Sequence, residues 1–166
     1  FNNEVETIEG DPKPGDIVDL FYYDNKFAGR GYFNSNSLII ARLLTRKDEE
    51  INEAFFHTKI AAAWNYRIKT GYTENCRLVF GEADELPAVI IDKFNDYFVI
   101  QTLSFGIDVW KEAIVNSINK IFNPKGIYER NDVSVRKVEG LEQKKGFLSE
   151  PFNTEIIINE NGLQFY

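Results

Sequence analysis

Sulfur and imidazole are scarce: the 166 residues include one cysteine, one histidine and no methionine. Cys76 alone cannot close an internal disulfide, which suits a reducing compartment, and with no C-x-x-C partner it offers no zinc site. Nothing beside it in the sequence implies the lowered pKa of a nucleophilic thiol, so it reads as a structural residue. His57 falls inside a helical stretch with no partner legible from sequence, and reads as an ordinary helix residue rather than a catalyst. Long apolar runs are missing too. Runs such as Ala88-Val89-Ile90-Ile91 are strand-sized and far short of the roughly 18 residues a spanning helix needs. Phe1-Asn2-Asn3-Glu4 has neither the basic nor the apolar region of a secretory leader, so a cytoplasmic location is expected. Cofactor signatures are equally sparse. Gly29-Arg30-Gly31 is the only G-x-G; the third glycine of a dinucleotide loop would fall on Asn34, and another strand follows instead of a helix. That pattern predicts a sheet bulge. P-loop, zinc-helix and serine-elbow motifs are absent.

What is present is a well-stocked core: 43% hydrophobic and 14% aromatic residues, enough for one ordinary domain or two small ones. The net charge of −7 and the sequence pI near 4.8 argue against a dedicated nucleic-acid binder. The distribution is less one-sided. Lys125 to Lys145 hold six basic and four acidic residues, whereas the first fifty residues hold six basic and ten acidic ones. A modest basic zone on an acidic chain is compatible with transient RNA contact.

Two compositional units are expected. In the first, Ile17–Tyr23, Phe27–Phe33 and Leu38–Leu44 read as strands separated by the turns Asp24-Asn25-Lys26 and Asn34-Ser35-Asn36-Ser37, the spacing of a small barrel. From Glu49 to Lys69 the apolar period lengthens to that of a helix with one buried stripe, and Gly71 is its stop signal. The second unit reads as α+β. Strands are expected at Arg77–Gly81, Ala88–Asp92 and Tyr97–Leu103, then one helix carrying Ile107, Trp110, Ile114, Ile118 and Ile121 and closed by Pro124. Further strands are expected at Gly126–Arg130, Val133–Arg136, Glu155–Asn159 and Leu163–Tyr166, the last two joined by the turn Glu160-Asn161-Gly162.

Two segments carry candidate chemistry. Gly81-Glu82-Ala83-Asp84-Glu85-Leu86-Pro87 places three carboxylates within four residues. They could hold a metal or act as acid and base, but shaping a loop between two strands is the favoured reading. Tyr128 to Lys137 interleaves both charge signs with β-branched residues. Its arginines could pair bidentately with phosphate, or Glu129 could pair internally with Arg130 or Arg136. From the residues alone these two readings stand level.

At these same segments the sequence resembles a known family. Arg77 to Asp92 is similar to the R-x-V-x-G-E-x-D-x-L-P-G-x-x-x-D signature of RlmI-type S-adenosylmethionine-dependent ribosomal RNA (cytosine-5) methyltransferases. Tyr128 to Leu141 resembles that family's Y-E-R-S-D-x-x-x-R-x-x-E-G-L. Gly29 to Asn34, with Ser37, Ile39 and Arg42, looks like its PUA-type barrel, and Glu160 to Phe165 matches the strand before its cofactor domain. Ala88 departs from the pattern, standing where the family usually has glycine.

The resemblance implies an α+β chain: a truncated PUA-like β-barrel at residues 1–47, a linking helix at 48–72 and a small central α+β domain at 73–166. It also implies a Rossmann-like methyltransferase domain lying outside this sequence. No catalytic, cofactor or metal residue is carried over; S-adenosylmethionine would belong to the full-length protein. The expected role is to recognise and position RNA, with ribosomal RNA as partner, no membrane and a possible homodimer. Arg30, Tyr32, Arg42, Arg130, Arg136 and Lys137 are the candidate RNA contacts. The alternative is a non-catalytic structural or dimerisation module that orients the methyltransferase domain.

Overall fold

The computed structural model describes residues 1–160 and 162–165. Three antiparallel strands open the chain: β1 (Ile17–Phe21), β2 (Phe27–Phe33) and β3 (Ala41–Thr45), with β2 in the middle. The register of β2 against β3 slips between Arg30 and Gly31. Gly31 is needed at that slip, because a Cβ there would lie 2.0 Å from the Arg42 carbonyl oxygen. The expected sheet bulge is therefore present. Among the described residues this region is a three-stranded sheet, not a closed barrel.

Helix α1 (Glu53–Lys69) begins where the Asn52 side chain accepts a hydrogen bond from the Phe55 N–H at 3.1 Å. Gly71, in the left-handed region at φ +85°, follows its last turn. A five-stranded sheet comes next: β4 (Asn75–Phe80), β5 (Val89–Phe94), β6 (Tyr97–Thr102), β7 (Gly126–Asn131) and β8 (Lys144–Phe147), in that spatial order. Only β6 and β7 run parallel, and helices α2 (Phe105–Asp108) and α3 (Lys111–Phe122) make the crossover between them. A helical turn, α4 (Val135–Val138), joins β7 to β8, and a small hairpin, β9 (Ile158–Glu160) and β10 (Leu163–Phe165), ends the description.

Strict alternation decides which way the sheet faces. Val89, Ile91 and Lys93 of β5 and Phe98, Ile100 and Thr102 of β6 point inward. Helices α1 and α3 cover that side with Phe56, Ile60, Ile114 and Ile118, all fully buried. Trp64 meets Phe122 edge-on at 5.2 Å between the two helices. Burying one such aliphatic side chain is worth about 1.5–3 kcal/mol, so this two-layer core holds the fold together.

Three expectations needed correction, and one strand was not expected. Residues 38–40 are not strand: the Asn34 N–H bonds the Ile40 carbonyl at 2.8 Å and the Ser37 hydroxyl accepts from the Ile39 N–H at 3.2 Å, which folds them into a turn. The single helix through Trp110 is two helices, because the Trp110 N–H bonds Ile107 three residues back at 3.0 Å and tightens the chain there. Val133–Arg136 is not a strand either. Its valines favour one, but the chain coils into α4 so that Arg136 can turn inward. Strand β8 had no expected counterpart. The turn expected at Glu160-Asn161-Gly162 lies partly outside the described residues, as does the final residue, 166, of the last expected strand.

Candidate functional site

The acidic segment is a piece of architecture. Residues Gly81–Asp84 form a 3-10 turn. Asp84 accepts from the Phe80 N–H at 2.7 Å and from Arg67 at 2.6 Å, Glu85 pairs with Lys59, and Glu82 lies 3.6 Å from Arg42. Every carboxylate has a structural partner, and no group of three metal-ligating side chains converges among the described residues. The G-x-G is closed as a cofactor cradle: the site of a Gly31 Cβ is occupied by the backbone of β3. The Gly29-Arg30-Gly31 segment therefore does not fit S-adenosylmethionine.

Two buried polar clusters take up most of the second signature. In the first, the Arg136 guanidinium is 1% exposed. Its Nε donates to the Glu142 carbonyl at 2.9 Å, and one terminal nitrogen reaches the Thr102 carbonyl and Asp108 Oδ1, the latter at 2.9 Å. Thr102 donates its hydroxyl to Asp108 at 2.5 Å and receives the Asn131 amide at 2.9 Å. Asn131 also reaches Glu129, which pairs with Lys111 at 2.7 Å. Burial opposes charge on Asp108, but the hydrogen bonds from Arg136 and Thr102 outweigh it and hold its pKa below the usual carboxylate value. The Glu129 pairing expected with Arg130 or Arg136 is instead made with Lys111.

In the second cluster Glu139, just past α4, reaches back to the first sheet. It accepts from the Asn34 amide at 3.0 Å and the Ser37 hydroxyl at 2.7 Å, with Arg42 at 3.4 Å. Tyr32 makes the neighbouring contact. Its ring is 1% exposed, its hydroxyl shares a 2.7 Å hydrogen bond with Ser104, and it packs so closely on Gly106 that a Cβ there would sit 2.1 Å from the ring. Burial pushes the Tyr32 hydroxyl pKa far up. The first sheet is thus docked on the second unit through Tyr32, Asn34, Ser37 and Arg42.

The six expected RNA contacts are scattered by this arrangement. Tyr32 and Arg136 are enclosed, and neither a base nor a phosphate reaches them; both correct the expectation. Arg30 is clamped on both oxygens of Asp19, at 2.6 and 3.1 Å, with Asp48 and the Glu49 carbonyl taking further protons. The Arg42 guanidinium lies between Glu82 and Glu139, and its Nε is buried without a hydrogen-bond partner. Arg130 and Lys137 remain in solvent, Arg130 at 65% exposure with only a 3.6 Å contact to Asp132. A cleft of about 510 Å³ opens between the end of β3 and the acidic turn, where Arg46, Lys47 and Lys59 face Glu49, Glu82 and Glu85. Its charges balance.

The comparisons bear on what these ligatures serve. A PUA-like domain model matches residues 1–46. Over 99% of its length the chain is 37% identical to ribosomal RNA large subunit methyltransferase I of Vibrio parahaemolyticus. Over all of it, it is 34% identical to the protein of the same name from Yersinia pseudotuberculosis. The chain is similar to these two proteins along its whole length. It spans about two-fifths of those relatives, 42% and 43% of their lengths. Two solved structures share the fold. One is a Streptococcus mutans protein assigned as an S-adenosylmethionine-dependent methyltransferase, with TM-score 0.72 and 20% identity over 92% of this chain and 39% of that one. The other is SMU.776, assigned as a methyltransferase and solved with SAH, with TM-score 0.74 and 19% identity over the same shares. The likeness of both to this chain is one of fold.

Proposed function

We propose that this chain is the RNA-recognising and RNA-positioning portion of an S-adenosylmethionine-dependent RNA methyltransferase of the cytoplasm, acting on cytosine in large-subunit ribosomal RNA. Residues 1–47 form its PUA-like unit, 48–72 a linking helix and 73–166 the central domain. The observation that carries the reading is full-length similarity to ribosomal RNA methyltransferases, joined to a PUA-like sheet pinned on the central unit by Glu139 and Tyr32. Two units held at a fixed angle can present one structured RNA to a catalytic domain without losing orientation on binding. The methyl donor is supplied by S-adenosylmethionine in the longer protein; the residues described here hold RNA and set geometry.

A second reading has an observation of its own. Arg136 and Glu139 are spent inside the fold, which favours a bracing role for the second signature. On that reading the central domain orients its neighbours, as a structural or dimerising module, and RNA contacts lie elsewhere. Filter binding of the chain to a large-subunit ribosomal RNA fragment separates the two. The first reading expects saturable, salt-sensitive binding; the second expects none.

A further inference from the structure

The side of the five-stranded sheet that faces away from the helices carries Phe152, from the segment after β8, packed against Phe147, Tyr97 and Gly126, and keeps Phe80, Arg130 and Phe147 exposed. The register places its outward residues in cross-strand rows. One row runs Arg77, Asp92, Val99, Tyr128, Phe147 across all five strands, and Arg130 stands beside Lys145 in the next position on β7 and β8. Five strands at roughly 4.7 Å spacing make this row about 19 Å long. Tyr128 and Phe147 meet edge-on at 5.1 Å, Phe80 lies 54% exposed with the Arg77 guanidinium 5.2 Å over its ring, and Arg130 and Lys145 project into solvent. Lys145 makes no ion pair among the described residues. Asp92 is the one carboxylate in the row, and Arg77 neutralises it at 2.8 Å.

We propose that this sheet face, with Tyr128 and Phe147 as base-stacking platform and Arg130 and Lys145 as phosphate contacts, binds single-stranded RNA. The inference rests on the RNA-recognition reading above and assigns it a surface. Charge decides the occupant. The chain carries −7, so a cationic, aromatic face is a local exception that complements a polyanion with exposed bases. A duplex hides its base faces and would leave the aromatic rings idle, whereas every unpaired base offers a π-face. A second copy docking through the same face would set Arg130 and Lys145 against like charges.

The test is fluorescence anisotropy of the intact chain with a labelled single-stranded oligoribonucleotide of roughly 12 nucleotides. Arg130→Glu/Lys145→Glu alters two exposed positions, and thermal unfolding checks that it folds as the parent does. The double variant is expected to bind about tenfold more weakly, with the log-affinity against log-salt slope shallower by about 1.4, since each lost contact to a single strand removes about 0.7. Phe147→Ala should cost about fivefold or more, and Arg46→Glu/Lys47→Glu in the cleft should cost little. Parent-like binding by the sheet variants together with loss in the cleft variant overturns the assigned surface while RNA recognition stands. No RNA binding by the parent chain overturns both. A change in sedimentation by the sheet variants, with RNA affinity unchanged, would make the face a contact between copies and also overturn the proposal.

Discussion

Replacing Arg136 by methionine keeps an unbranched stem, two atoms shorter, and removes its charge and donors. Arg136 is 1% exposed and donates to the Glu142 carbonyl, to Asp108 and to the carbonyl and hydroxyl oxygens of Thr102. Methionine leaves Asp108 two of its three partners, since Lys111 stays 3.4 Å away and Thr102 still donates, but both carbonyls lose a donor. Breaking a buried pair by removing one partner costs about 3–5 kcal/mol. A chain of this size loses roughly 2–4 °C of Tm per kcal/mol, so Arg136→Met should melt about 6–20 °C lower. Total stabilities of about 5–15 kcal/mol leave the variant folded at room temperature, where urea titration gives the free energy directly. RNA affinity, measured on the folded fraction, should not change. A loss below about 1 kcal/mol would refute the claim that this arginine is a structural brace.

Three further outcomes follow from the same geometry. Ala88 has φ +62°, a left-handed conformation that costs an L-residue about 1–2 kcal/mol, so Ala88→Gly should raise stability by about 0.5–1 kcal/mol after the added chain entropy is subtracted, read by urea titration. Tyr32→Phe removes the hydroxyl partner of fully buried Ser104 and should cost about 1–2 kcal/mol in the same assay. The folded-state pKa of Asp108 is depressed, so its contribution is fully present above the unfolded value near 4 and disappears as pH falls through the folded value. Acid titration of stability should therefore steepen below about pH 4, and Asp108→Asn should flatten that limb; an unchanged acid limb would contradict the assignment.

Periodicity made the core legible before any coordinates. The apolar runs of β5 and β6 and the helical spacing within Glu49 to Lys69 place those elements correctly, because a buried strand and a one-sided helix each leave their own pattern. The Gly29-Arg30-Gly31 bulge was legible for the same kind of reason: two glycines in a strand mark close backbone approach. The roles of Arg136, Glu139 and Tyr32 were not. Each is a polar or charged residue whose side-chain partners lie 28 to 105 positions away, and sequence spacing carries no record of such pairings. Chemistry typical of RNA contact was thus read into residues that hold two units together. Arg130 was singled out but its neighbours Tyr128, Lys145 and Phe147 were not, because Lys144–Phe147 has little strand propensity; the alternation of Tyr128 and Arg130 with buried Glu129 and Asn131 was the available signal.

Affinity of the intact chain for a large-subunit ribosomal RNA fragment, titrated from about 50 to 200 mM salt, tests the central claim most directly. Recognition through a few exposed cations predicts saturable binding that weakens steadily with salt and persists in Arg136→Met. No saturable binding at the low end of that range, or binding abolished by Arg136→Met in a variant shown to be folded, would contradict it.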